Sequence, residues 1–307
     1  MIILSGGTGT PKLIDGLRKI IPDAEMTIIV NTGEDIWSAG IFVTPDIDTV
    51  LYLFAGILDK TKWWSIVGDT YVTHNRMKEL GQTEILMLGD RDRAVNIART
   101  KALESGKTLT EATMELAADF GITAQIIPMS DEPVTSRIQT PDGKIHFQDF
   151  WVTQKGASEV LSFEYEGIGA AKLSPAAKAA LEKEDVVLIG PSNPMTSIGP
   201  ILALPEIKDI LKTKKVIAVS PIIGNEAVSG PAGKLMAAKG LEVSSRSVVE
   251  LYKEFMDIFV YDIRDDVIDP VEIEEMEIKA VAFDTMMIDE EKRSALAEKV
   301  LELCRVL

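Results

Sequence analysis

Met1-Ile2-Ile3-Leu4-Ser5-Gly6-Gly7-Thr8-Gly9-Thr10-Pro11-Lys12, followed by Leu13, Ile14, Leu17, Ile20 and Ile21, is the stretch that decides the fold of this 307-residue chain. A short apolar run, a glycine turn and an apolar period of about 3.6 spell strand, loop and helix. Three glycines in four positions permit positive φ and bring backbone N–H groups close to a ligand with no Cβ in the way. The turn feeds a helix N-terminus, so the free amides and the positive end of the dipole point at one place, which suits a phosphate. Thr8 and Thr10 add hydroxyls there, and Lys12 adds a charge. The same residues also satisfy a tight βα turn with no ligand. Two better-known glycine motifs fail. A dinucleotide fingerprint wants a third glycine where Lys12 stands and an acid where the next strand ends in Val30-Asn31. A P-loop wants Gly-Lys-Ser/Thr, which this loop lacks.

Working outward, Ala24 to Asn31 (AEMTIIVN) reads as the second strand, with room for one crossover helix before it. A right-handed βαβ unit follows, which makes the sheet parallel and places the glycine loop at its carboxyl edge, where open sheets bind ligands. Asp185 to Gly190 (DVVLIG) and Lys215 to Ser220 (KVIAVS) are further continuous apolar runs that open into Pro191-Ser192-Asn193-Pro194-Met195-Thr196-Ser197 and Pro221-Ile222-Ile223-Gly224-Asn225. Strands buried on both faces read in this way. Gly230-Pro231-Ala232-Gly233-Lys234 starts another helix, with Lys234 a second candidate phosphate contact. The expected architecture is α/β: a Rossmann-like, doubly wound, mainly parallel sheet forming one domain over residues 1–307. A mainly helical insertion or lid is expected at about 59–120, interrupted by Glu84 to Gly89 (EILMLG), and a β-hairpin at about 134–150 around Pro141-Asp142-Gly143.

The bulk composition narrows the function. With 46% hydrophobic residues the chain is globular. Its 48 acids against 32 bases give a net charge of −16, which opposes nucleic-acid binding, and Lys212, Lys214 and Lys215 are the nearest approach to a basic run. No leader or membrane span is read, so a cytoplasmic protein with no membrane partner is expected. The lone Cys304 leaves no internal disulfide or cysteine metal cluster. His74 lacks a second histidine at ligand spacing, and His146 alternates with apolar neighbours as a packed strand residue does, so zinc is not expected. An acidic protein that binds a phosphorylated anion must place its few cations well or recruit a divalent metal between carboxylate and phosphate.

Candidate acids follow the second strand. Asn31-Thr32-Gly33-Glu34-Asp35 is a polar loop, and Thr44-Pro45-Asp46-Ile47-Asp48-Thr49 opens a helix. Thr44 and Pro45 suit a helix cap and first position, and Asp46 and Asp48 suit the dipole of its first turn, which accounts for them without any ligand. Their position after the second strand also turns this N-terminus toward the glycine loop. Arg91 and Arg93, in Asp90-Arg91-Asp92-Arg93, fit either an anion clamp or a self-paired charge pattern.

Taken together, Ser5-Gly6-Gly7-Thr8-Gly9 with Lys12-Leu13 and Gly16-Leu17, Asn31 to Asp35, Pro45-Asp46-Ile47-Asp48-Thr49-Val50-Leu51-Tyr52, Leu88-Gly89-Asp90-Arg91-Asp92, Gly190 to Pro194, and Ser220-Pro221-Ile222 through Gly230-Pro231-Ala232 resemble the 2-phospho-L-lactate transferase (CofD) family. The similarity spans roughly residues 1–300. It implies coenzyme F420 biosynthesis: a phospholactyl or phosphoenolpyruvyl-type group moves from a guanosine diphospho donor, lactyl-2-diphospho-5′-guanosine, to the ribityl hydroxyl of the deazaflavin Fo, with GMP released and Mg²⁺ required. On this resemblance Gly6, Gly7, Thr8, Gly9 and Lys12 would hold donor phosphates, and Ser192, Asn193, Gly224 and their neighbours the guanosine end. Asp46 and Asp48 would carry Mg²⁺ or take the hydroxyl proton, with Asp35 and Thr49 beside them, and Arg91 would meet the deazaflavin or the transferred phosphate. A homodimer is expected by the same analogy. The gluconeogenesis-factor family shares the glycine loop as a nucleotide-sugar-binding regulator without transferase activity. The Pro45-Asp46-Ile47-Asp48-Thr49 segment is the feature that separates the two.

Overall fold

A computed structural model describes residues 1–306. β1 (Ile2–Ser5) runs through the glycine loop into α1 (Gly9–Leu17) and back to β2 (Thr27–Val30). A small hairpin of β3 (Ile36–Ser38) and β4 (Ile41–Val43) precedes α2 (Pro45–Phe54). Three helices, α3 (Val72–Glu79), α4 (Asp90–Glu104) and α5 (Leu109–Asp119), fill the chain before β5 (Gln125–Pro128). β6 (Thr135–Thr140) and β7 (Gly143–His146) form the hairpin read from the sequence, and β8 (Ser162–Glu166) adds a third antiparallel strand that was not read there. The second half continues with α6 (Pro175–Lys183), β9 (Val186–Ile189), α7 (Ile198–Ala203), α8 (Ile207–Leu211) and β10 (Lys215–Val219). The short pair β11 (Ile222–Ile223) and β12 (Glu226–Ala227) leads into α9 (Ala232–Ala238), α10 (Ser245–Tyr252) and β13 (Ile258–Asp262). α11 (Pro270–Glu274), β14 (Lys279–Phe283) and α12 (Glu290–Val306) complete the chain.

Seven strands form one sheet in the order β14-β13-β10-β9-β1-β2-β5, every neighbouring pair parallel. Alternation along β1 sends Ile2 and Leu4 into one layer and Ile3 into the other. On the first side Ala177 and Leu181 of α6, Ile198 and Ile201 of α7, and Val248 and Val249 of α10 cover the sheet. On the second side Leu13 and Leu17 of α1, Val50 and Leu51 of α2, and Leu296 and Val300 of α12 do the same. Each such side chain removed from water contributes about 1.5–3 kcal/mol, so both faces are held and the strands have no polar face to alternate with.

Two local readings shift, at the start of β2 and at the cap of α2. β2 begins at Thr27, because Asp23–Glu25 forms a 3₁₀ turn after Pro22. Glu84 to Gly89 interrupts the helices as expected, as an irregular segment in which Leu88 packs with Ile36 and Val43 and Glu84 is taken by Arg93 and His74. The Thr44 side chain does not cap α2, although Pro45 occupies the helix start as expected. Among the described residues, no helix is long and apolar enough to cross a membrane.

Candidate active site at the switch point of the sheet

From β1 the chain winds one way through β2 and β5, then returns to β9 on the other side of β1. The carboxyl ends of β1 and β9 therefore flank the crevice that forms where strand order reverses, and ligands of doubly wound sheets bind there. Gly6–Thr8 follows β1 and Pro191–Ser197 follows β9, so the two loops face each other.

Of the two reasons expected for the glycines, positive φ fails and room for close approach of the backbone stands, here toward the protein's own groups. None of Gly6, Gly7 and Gly9 has positive φ. A Cβ on Gly9 would run into the Pro191 carbonyl, and one on Gly7 into the Asp46 carboxylate. Close approach of backbone, not left-handed geometry, sets the requirement. Asn31 ties the crevice together: its Nδ2 donates to Asp46 Oδ2 at 2.8 Å and to the Thr196 carbonyl at 3.0 Å, and its Oδ1 accepts the Gly33 N–H at 2.8 Å. Across the crevice the Ser192 and Thr10 hydroxyls lie 2.8 Å apart, and Ser192 Oγ accepts the Thr10 N–H at 3.1 Å. Asn193 Oδ1 accepts the Met195 N–H at 2.9 Å, which fixes the turn that presents its amide.

Two cavities open here. The smaller is lined by Gly7, Thr8, Gly9, Glu34, Asp46, Ser192 and Asn193, and on its far side by Phe147, Trp151 and Gly230-Pro231-Ala232. The larger, about 600 Å³, is lined by Asp35, Trp37, Phe42, Lys107, Arg137 and His146 among others. Glu34 and Asp35 are sequence neighbours that face different cavities, so a wall of buried acids separates the two.

Burial dominates the electrostatics of this wall. It pushes Glu34 and Asp35 well above the usual carboxylate range, with the Asp46 charge adding to both and Arg99 opposing at Asp35. Burial also raises Asp46 to about 7, against the pull of its Asn31 hydrogen bond. Asp48 is raised by burial and held back by Arg99. Both Asp35 carboxylate oxygens are buried without a hydrogen-bond partner. Glu34 Oε2 accepts from Gln148 Nε2 at 2.9 Å. His146 Nδ1 accepts the Gln148 N–H at 3.0 Å, so its Nε2, 3.1 Å from the Asp35 carbonyl, carries the proton. Burial lowers that imidazole's pKa and keeps it neutral.

The remaining sequence candidates fall as follows. Asp46 reaches the smaller cavity, but Asp48 points the other way and both its oxygens pair with the Arg99 guanidinium, so the two aspartates do not form one ligand pair. Thr49 bonds back to the Pro45 carbonyl at 2.9 Å inside α2. Lys12 is half-buried on α1, its Nζ 5.6 Å from the centre of the Trp63 ring and beside Arg293, and lines neither cavity. Arg91 is exposed at the start of α4, where its N–H bonds Asp69, and also lines neither. Gly224 sits with φ +57° in the β11–β12 turn near Asp266, and Lys234 donates to the Gly156 carbonyl. Glu34, Trp37, Trp151 and Arg99 were not singled out from the sequence.

The donor set suits a hard divalent cation. The smaller cavity presents carboxylates, hydroxyls and amides with no Lys or Arg among its lining residues, so a diphosphate would meet negative charge unless a cation intervened. Among the described residues, no three acids or histidines converge as a closed cage. Magnesium is commonly held by one or two carboxylates with phosphate and water completing the shell.

A family model described as "2-phospho-L-lactate transferase CofD" matches residues 1–301. A protein named 2-phospho-L-lactate transferase from Methanosarcina barkeri is 54% identical over 303 residues, covering 99% of this chain and 98% of its own. The protein of that name from Methanosarcina acetivorans is 55% identical over 303 residues, with coverage of 99% and 98%. The one from Methanocaldococcus jannaschii is 44% identical over 306 residues, with coverage of 98% and 97%. Among solved structures, protein BH3568 from Bacillus halodurans superposes with a TM-score of 0.67 over 98% of both chains at 15% identity, a likeness of fold.

Proposed function

The chain belongs to the 2-phospho-L-lactate transferase (CofD) family, and on that premise we propose that it moves a phospholactyl, or phosphoenolpyruvyl-type, group from lactyl-2-diphospho-5′-guanosine to the ribityl hydroxyl of Fo, releasing GMP and giving F420-0. The observation that carries this reading is the pair of cavities divided by Glu34, Asp35 and Asp46, which gives two substrates separate entries to one acid wall.

Alcohol attack on a diphosphate calls for in-line positioning and charge neutralisation more than for covalent help from the protein. The donor's phosphates lie along the Gly7–Gly9 amides at the start of α1, with Ser192 and Asn193 opposite and the guanosine end toward Gly230–Ala232. Fo occupies the larger cavity, its ring against Trp37 and Phe42 and its ribityl chain toward Asp35. Asp35 accepts the hydroxyl proton as that oxygen bonds to the lactyl-bearing phosphorus, and the bond to the bridging oxygen breaks to free GMP. Asp46 would hold Mg²⁺, which when bound neutralises charge on the diphosphate. Asp48 is fixed by Arg99 behind this wall. We carry the cytoplasmic location and the homodimer as part of the proposal. Val67, Val72, Leu80 and Met87, all exposed around α3, are apolar surface that a second copy could cover, and light scattering reads the mass.

Mixing the protein with Fo, Mg²⁺ and the guanylyl donor should yield GMP only when all three are present, followed by chromatography. Absence of GMP under conditions where Fo binds returns the chain to the nucleotide-binding regulatory reading.

Two further outcomes are expected. Trp37 is 57% exposed at the cavity rim, its ring centre 5.3 Å from that of Phe42. Stacking of a flat heterocycle on such a ring contributes about 1–3 kcal/mol. Steady-state kinetics of Trp37→Ala should show the KM for Fo raised about tenfold or more and that for the donor unchanged; an effect on the donor alone would exchange the two cavities. The second outcome concerns pH. Asp46 must be ionised to bind metal and titrates at about 7. Mg²⁺ activation curves should therefore show apparent affinity rising about tenfold per pH unit below 7 and levelling above it. A flat profile from pH 5.5 to 8 would remove Asp46 as the ligand.

A further inference from the structure

α4 buries a polar stripe. Its most buried residues are Asp92, Arg93, Asn96, Arg99 and Thr100, all polar, while apolar Val95 and Leu103 are only partly buried against the core and Ile97 is exposed. Asp92, Asn96 and Arg99 recur at helical spacing on one face and form a continuous buried chain. Tyr52 donates its hydroxyl to Asp92 Oδ1 at 2.7 Å, Asn96 Nδ2 donates to Asp92 Oδ1 at 3.0 Å, and Asn96 Oδ1 accepts from Arg99 Nη1 at 2.7 Å. The chain ends in the Arg99–Asp48 pair, in which both guanidinium Nη atoms meet both carboxylate oxygens. Arg99 is fully buried. Arg93, the other buried cation of the helix, is occupied elsewhere by Glu84.

Packing alone does not explain such a face. An apolar face of equal volume commonly serves stability as well as a buried ion pair or better, so the pair is weak evidence for a purely stabilising role. Its placement points elsewhere. Asp48 sits two residues from Asp46 on α2, so the residue that Arg99 clamps belongs to the same helix start as the acid that reaches the smaller cavity.

We propose that Arg99 is a positioning residue of the transfer reaction. From the polar face of α4 it holds Asp48, and with it the start of α2 that carries Asp46, in register. This rests on the transferase reading above. Arg99 touches no substrate. It acts through Asp48, and the fork of the guanidinium, not its charge alone, is what the geometry uses.

The test compares wild type with Arg99→Lys, Asp48→Asn and the double variant, each checked for folding by circular dichroism and then assayed for GMP release with donor and acceptor varied separately. Lysine keeps the charge and loses the fork. Arg99→Lys is expected to lower kcat about 100-fold with both KM values within about threefold, the pattern of misplaced groups and not of lost binding. Because Arg99 acts through Asp48, the double variant should lose no more than the worse single one. Arg99→Lys within twofold of wild-type kcat, or losses that multiply in the double variant, would overturn the proposal while leaving the transferase reading in place. A folded wild-type chain that releases no GMP overturns that reading, and this inference with it.

Discussion

Asp46→Asn is expected to reduce kcat about 1,000-fold while leaving the protein as stable as wild type or more so. The kinetic loss follows from its place in the smaller cavity, beside the Gly7 backbone and held by Asn31, where it is the carboxylate best placed to share a cation with a diphosphate. Metal stabilisation of the transition-state charge amounts to several kcal/mol, and each 1.36 kcal/mol is tenfold in rate. The stability side follows from burial. Asp46 is raised from 3.8 to about 7, so the folded state holds a proton that the unfolded chain has released. Stability therefore falls as pH rises through that window, and above it the buried charge is a full penalty. Asparagine keeps the shape and can still accept from Asn31 Nδ2, without the charge. At pH 8 a thermal melt should show Tm unchanged or higher. A drop of several degrees with turnover kept within a few-fold would assign Asp46 to packing instead.

Gly9→Ala carries the second large effect. The new Cβ would meet the Pro191 carbonyl, which is backbone and cannot swing aside. Overpacking of this kind costs about 1–3 kcal/mol, and here the strain is relieved only by parting the loops after β1 and β9, between which the donor lies. The expected result is a KM for the donor raised about 100-fold together with a lower Tm. Gly7→Ala provides the contrast, since its Cβ meets the Asp46 carboxylate first, with the Asp46 backbone only in tight contact at 3.3 Å. That variant should lose kcat, with a smaller drop in Tm than Gly9→Ala. Calorimetric melts and donor saturation curves for the two variants separate the cases, and equal melting with equal KM would mean that the crevice is looser than the contact geometry requires.

Much of the architecture was legible because its determinants are local. Leu4, Ile29, Ile189 and Ala218 sit in runs with no polar alternation, and only strands covered on both faces read that way. The glycine loop, the acids after β2 and the Ser192-Asn193 loop were legible as well, since a parallel sheet gathers the loops at its carboxyl edge. What escaped depends on tertiary direction. Asp46 and Asp48 stand two apart on a helix and so diverge by about 200°, which sends one to the cavity and the other to Arg99. Arg91 and Arg93 drew notice as a charge pair, yet the cation that reaches the acids is Arg99, visible only if Asp92, Asn96 and Arg99 are recognised as the inward stripe of a helix whose apolar Ile97 faces out. Glu34 looked like loop polarity beside Asp35, because nothing in the chain shows that neighbouring acids line different cavities. The third strand of the hairpin sheet, β8, pairs with β6 across an intervening segment that carries Trp151, a long-range pairing with no local signal.

The most direct test of the two-cavity account is a crystal structure with Fo, GDP and Mn²⁺ in place of Mg²⁺, with the metal located by its anomalous signal. The account predicts one metal peak at coordination distance from the Asp46 carboxylate, shared with the diphosphate lying along Gly7–Gly9, and the Fo ring against Trp37 with its ribityl hydroxyl facing Asp35. A metal bound away from Asp46, or Fo and GDP stacked in the same cavity, would contradict it.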